Sequence, residues 1–150
     1  MATNRVAGKG SYRIEEYKVA SAGIYPGMLV KLDANGEVAI HDDEGGALGD
    51  EVMIAAEDAL QGHDVDEVYA DDSRVTVFIP NKGSTVNVLI EDGQDIDIAD
   101  KLISAGNGKF KVSTDLESGE TLSCVPGIAT EVRDLTGSDS DDTLSEMRVV

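Results

Sequence analysis

Between residues 65 and 112 lie two runs in which apolar residues recur at every second position. In Val75-Thr-Val-Phe-Ile79 the residues Val75, Val77 and Ile79 share one face, with Thr76 and Phe78 on the other. Val86-Asn-Val-Leu-Ile90 repeats the pattern with Val86, Val88 and Ile90. Successive side chains of a strand point to opposite faces, so a period of two built on β-branched residues predicts half-buried strands. Pro80 closes the first run because it has no N–H for a ladder, and Asn81-Lys-Gly83 turns the chain before the second. This stretch reads as a compact β scaffold, with nothing in it resembling a catalytic centre.

The same reading extends along the chain. Residues 28–32 and 37–40 flank Asn35-Gly36, and residues 100–103 and 109–112 flank Asn107-Gly108. Asn-Gly is a strong hairpin signal because both residues tolerate positive φ. The two hairpins echo each other, and shared turn chemistry accounts for the echo. Residues 127–132 and 146–150 read as further strands, residues 41–46 as a solvated loop, and residues 136–142 as an acidic turn. Residues 64–69 fit one helical turn capped by Asp64. Residues 50–62 are ambiguous. Val52, Ala55, Ala56, Ala59 and Leu60 keep helical spacing between Asp50 and Gly62, yet residues 51–55 also fit a buried strand. Short strands at close spacing predict an all-β, mainly β fold: a small barrel or sandwich of short antiparallel strands with a flexible N-terminal arm.

A chain of 150 residues is long enough for one domain with a real core. With aromatics at 4% and no Trp, that core must rest on Val, Ile, Leu and Ala. The formal net charge is −18. Recognition of nucleic-acid phosphates needs clustered Lys and Arg, so that function class is excluded, and anionic membranes are disfavoured. No apolar segment approaches membrane-spanning length, and the N-terminus has no apolar core of a secretory signal. The expectation is a chain made in a reducing cytoplasm, with the single Cys124 a small buried hydrophobe.

The charge is uneven. Arg5, Lys9, Arg13 and Lys18 face only Glu15 and Glu16 within residues 1–18, a formal +2, which leaves −20 for residues 19–150. The sequence therefore divides into an arm, 1–18, and a single β domain, 19–150. Such an arm is either a loose terminus or a segment that folds onto an acidic surface of a neighbouring subunit or partner. Arg5, Lys9, Tyr12, Arg13 and Tyr17 are its candidate contact residues. Carboxylate pairs such as Asp42-Asp43 mean little in so acidic a chain, and residues 138–142 lack the register of a calcium loop. His41, His63 and one Cys make no zinc site, and no nucleophile elbow, P-loop or dinucleotide fingerprint is present. No catalytic residue, metal or cofactor is expected.

An ordered series of residues carries a resemblance. It runs through Leu60-Gln-Gly62, Val65-Asp66, Tyr69, Val75, Pro80, Gly83, Val86, Gly93-Gln94, Asp100, Leu102 and Gly106-Asn-Gly108, then Ile128-Ala129, Glu131 and Asp134. Order and spacing, rather than any one motif, make it similar to the small head decoration proteins of tailed bacteriophages, also called cement proteins. The family is extended before its Leu-Gln-Gly, which favours the strand over the helix at residues 51–55. It commonly has a Gly where this chain has Asp71-Asp72. The resemblance implies a non-enzymatic clamp on the outer face of an icosahedral phage capsid, often a homotrimer at three-fold positions. Its partners would be the major capsid protein and copies of itself, and it would hold the shell against the pressure of packed DNA. Two other classes stay open: a carbohydrate- or host-binding β module, for which the aromatics are Tyr12, Tyr17, Tyr25, Tyr69, Phe78 and Phe110, and a hydrolase with a dispersed site.

Overall fold

The computed structural model describes residues 5–20, 22–45, 51–57, 65, 67–70, 72–115, 125–136 and 143–150. Strands Tyr12–Lys18 (β1), Leu29–Leu32 (β2), Val38–Ile40 (β3), Met53–Ala55 (β4) and Arg74–Pro80 (β5) form one sheet in the order β1-β5-β4-β2-β3. Strands Thr85–Ile90 (β6), Lys101–Ser104 (β8), Phe110–Val112 (β9), Gly127–Ala129 (β10) and Thr143–Val149 (β12) close into a barrel in the order β10-β12-β6-β9-β8. Asp95–Ile96 (β7) and Arg133–Asp134 (β11) form a separate pair, and Ser113–Asp115 is a 3-10 turn. The fold is mainly β with a closed five-strand barrel, as the alternation predicts.

The two alternating runs anchor two different cores. Val75, Val77 and Ile79 of β5 join Val30, Val38 and Tyr69 in the cluster of the first sheet. Val86, Val88 and Ile90 of β6 point into the barrel with Phe110, Leu102 and Met147. Leu29 and Ile54 of the first sheet also enter that barrel cluster, so the two sheets share apolar contact. The turn at Asn81, where Ser84 N–H bonds the Asn81 carbonyl (3.0 Å), thus passes the chain between sheets. The first sheet curls: Val19, just after β1, bridges Val38 on β3 at the opposite edge.

Both Asn-Gly hairpins form, β2 with β3 and β8 with β9. Gly108 takes φ 80, and a Cβ there would lie 3.0 Å from Ile40 Cγ2. The second hairpin turn therefore packs on the first, and Leu29 N–H bonds the Gly108 carbonyl (2.7 Å). β4 is a strand, which settles residues 53–55, whereas Asp50 and residues 58–62 lie outside the described residues. So do Cys124, His63, Asp64, Asp66, Asp71 and residues 137–142. Residues 67–70 form no helical turn. Asp72 takes φ 59, the left-handed turn that the resemblance assigns to Gly.

Two expectations need correction. The arm predicted over 1–18 is in large part a structured element. Tyr12–Lys18 form β1, paired with β5 along its whole length. Upstream, residues 6–9 fill a seam of the barrel. β6 and β9 meet in parallel at a single pair, Ile90 with Phe110, so most of that edge of β6 is left over. The N-terminal segment takes it: Ala7 bridges Val86, Asn87 N–H bonds the Val6 carbonyl (2.7 Å), and Thr85 N–H bonds the Lys9 carbonyl (2.7 Å). Val6 is fully buried in the barrel core. Formal charge marked this segment as a tail, but backbone pairing ignores charge, and one buried Val fixes it.

The loop 41–45 is solvated only in part: Asp42 and Asp43 are exposed, and the rest is not. His41 is buried with Nδ1 2.8 Å from Ser104 Oγ, and Glu44 forms an ion pair with Lys111, whose side chain is 6% exposed. The loop folds over the second hairpin, with Gly45 N–H on the Ser104 carbonyl (2.9 Å). His41 and Glu44 thus turn toward the hairpin, while Asp42 and Asp43 stay in water, Asp42 paired with Lys31.

Candidate functional site

The five residues singled out in the sequence fall into two groups on opposite faces of β1, with Arg5 apart. Arg5 is exposed, and its carbonyl accepts from Asn87 Nδ2 (2.8 Å). Lys9 is exposed at its side chain, while its N–H donates to Thr85 Oγ1 (2.7 Å). Tyr12 converges on the same threonine: its hydroxyl donates to the Thr85 carbonyl and receives the Gly8 N–H (2.8 Å). Its ring lies tilted on Phe78 with centroids 5.4 Å apart. Thr85 Oγ1 in turn donates to Glu146 on β12 (3.2 Å), and Glu146 accepts from Thr130 Oγ1 (2.6 Å). Lys9 and Tyr12 therefore belong to a network that fastens the N-terminal segment to the barrel.

Arg13 and Tyr17 lie on the other face, beside Glu15. The Arg13 guanidinium reaches Glu15 (2.9 Å) and Glu51 (2.8 Å), and the Tyr17 hydroxyl donates to the Glu15 carboxylate. These partners hold the Arg13 pKa above its ordinary value, Glu51 foremost. The Tyr17 hydrogen bond, then Arg13, hold the Glu15 carboxyl below its own. Lys18, not among the five, bridges Asp72 (3.2 Å) and Glu37 (3.3 Å), and these bonds, Asp72 foremost, raise its pKa. The sequence reading missed Thr85, Glu51 and Glu146 as partners. They are distant in the chain, and no local spacing announces them.

Both tyrosines ionise late. Burial pushes the Tyr12 hydroxyl above 10.0, with the Glu146 charge adding to it, and the bond to Glu15 does the same for Tyr17. A pKa raised by folding gives stability that is fully present below pH 10.0 and is lost as pH rises through the raised values. In ultraviolet titration Tyr12→Phe and Tyr17→Phe are each expected to remove one late-ionising tyrosine. A titration curve that neither substitution alters would sink this assignment.

The remaining polar pair of chemical interest is His41 with Ser104, both at most 2% exposed. Ser104 Oγ also accepts the Gly106 N–H (3.2 Å). A nucleophile must reach a substrate carbonyl, and this hydroxyl faces the interior. Among the described residues no group of three or more His, Cys, Asp or Glu could hold a metal ion, and no helix is long and apolar enough to cross a membrane.

No family model matches the chain, and no curated protein sequence matches it. Among solved structures it is similar to the head fiber gp8.5 N base in bacteriophage phi29, with a TM-score of 0.55 and 13% sequence identity. The match covers 93% of this chain and 95% of that chain. At this identity the likeness is one of fold, and it runs nearly end to end.

Proposed function

We propose that the protein is a structural, non-enzymatic component of a phage virion that sits on the outer surface of the head. The observation that carries this reading is the fold likeness to the base of a phage head fiber over almost the whole of both chains. The order of residues similar to decoration proteins supports it independently. So does the net charge of −18, which suits an exterior surface away from packed DNA.

In the finer form of the proposal, copies bridge neighbouring major capsid proteins and resist outward DNA pressure, grouped as homotrimers at three-fold positions. Many weak contacts to one shell act together, so attachment is far tighter than any single contact. Assembly of such acidic chains is favoured by salt, which screens their repulsion. Electron microscopy of the purified protein mixed with undecorated expanded capsids tests the reading. Regular added density at fixed shell positions and greater heat tolerance of the particles are the expected results. Particles indistinguishable from bare capsids at saturating protein would refute it.

A further inference from the structure

The outer edge of β1 has no strand partner at its central residues among the described residues. The bonding to β5 fixes which backbone groups face out. Val19 N–H donates to the Ser73 carbonyl (2.8 Å) and Asn81 N–H to the Ser11 carbonyl (3.0 Å). Paired residues of an antiparallel ladder bond alternately, so Arg13, Glu15 and Tyr17 bond β5 while Tyr12, Ile14 and Glu16 turn their N–H and C=O outward. Ile14, at the centre, is 63% exposed. Natural sheet edges are usually blunted by proline, a bulge or charged side chains, and the charges here, Arg13, Glu15, Glu16 and Lys18, deter any strand that does not complement them. This one is seven residues long without a proline.

We propose that β1 pairs antiparallel with β1 of a second copy of this chain, about a two-fold axis at Ile14. Charge selects both the occupant and the register. With Ile14 opposite Ile14, Arg13 of each copy faces Glu15 of the other, and Tyr12 faces Glu16. A slip of two residues either way keeps the outward groups matched but sets Glu15 against Glu15 or Arg13 against Arg13, and like charges directly opposite destabilise a ladder. A slip of one residue brings groups already bonded to β5 to the new seam. The order Arg-Ile-Glu is thus self-complementary in one register. The contact is isologous and closes at two copies, so it is separate from the head-to-tail faces of a trimer, and it stands or falls independently of shell binding.

Cysteine cross-linking of the full chain reads the contact directly. In a Cys124→Ser background, Ile14→Cys is expected to oxidise to a covalent dimer, since bonded antiparallel pairs place Cα atoms about 5.5 Å apart, within disulfide reach. Lys82→Cys, in an exposed turn, is expected to stay single. Ile14→Pro removes only an outward N–H, so the fold should persist while the dimer disappears from sedimentation profiles. Arg13→Glu should weaken the dimer, and adding Glu15→Arg should restore it. Ile14→Cys cross-linking no faster than Lys82→Cys overturns the proposal. So does a folded Ile14→Pro that sediments like the parent.

Discussion

Val6→Asp is expected to unfold the barrel at temperatures the parent chain survives. Val6 is fully buried, and among the described residues no strand but β9, at Ile90 alone, pairs with that edge of β6. Val6→Ala removes most of a buried valine side chain, whose burial is worth about 1.5–3 kcal/mol. Asp at the same place buries a charge with no cation in the cluster around it, a loss on the order of 4 kcal/mol or more. For a chain of this length each kcal/mol lowers Tm by about 2–4 °C, so a fall of about 10 °C or more should appear in a thermal scan. Deleting residues 2–11 should do at least as much, because it also strands the Thr85 and Asn87 N–H groups that bond Lys9 and Val6. Were the segment a loose terminus, both variants would melt with the parent. Calorimetry decides between the two.

Lys111→Ala is expected to be the most costly loss of a single charge. Its side chain is 6% exposed and pairs with Glu44, which is 17% exposed. Removing one partner of a buried pair leaves the other uncompensated, at a cost of about 3–5 kcal/mol. Lys111→Ala together with Glu44→Ala should recover much of that loss, since no charge is then left behind. Chemical denaturation of the single and double variants measures the difference. If Lys111→Ala matched a surface substitution such as Lys82→Ala, the pair would carry no structural weight.

These two sites also mark where the sequence stopped being legible. Strand positions were readable because alternation and Asn-Gly turns are local: Val75, Val77 and Ile79 are buried as one face, and both hairpins form in register. Which sheet each strand joins was not, since β5 and β6 look alike and differ only in their distant partners. β1 escaped notice because Tyr-Arg-Ile-Glu-Glu-Tyr-Lys has no clean alternation; an edge strand half in water needs none. The burial of Glu44 depends on a loop folding over a hairpin far along the chain, and an acidic loop gives no sign of that. Of the candidate contact residues, the Arg13–Glu15 pair follows from strand spacing once residues 12–18 are extended. The convergence of Lys9 and Tyr12 on Thr85 does not.

The seam along β6 also sets an order of events during synthesis. Every strand of the first sheet lies between residues 12 and 80, so that sheet can assemble while later residues are still being added. The barrel cannot, because β6 waits for β12, which ends at Val149. Residues 6–9 lie along the other edge of β6, and the core that buries Val6 is complete only with Met147 and Val149 of β12. Residues made before the whole first sheet are thus seated only after it. Until they are, an open strand edge and a gap in the barrel core remain exposed, the kind of species that chaperones bind and that aggregates when crowded.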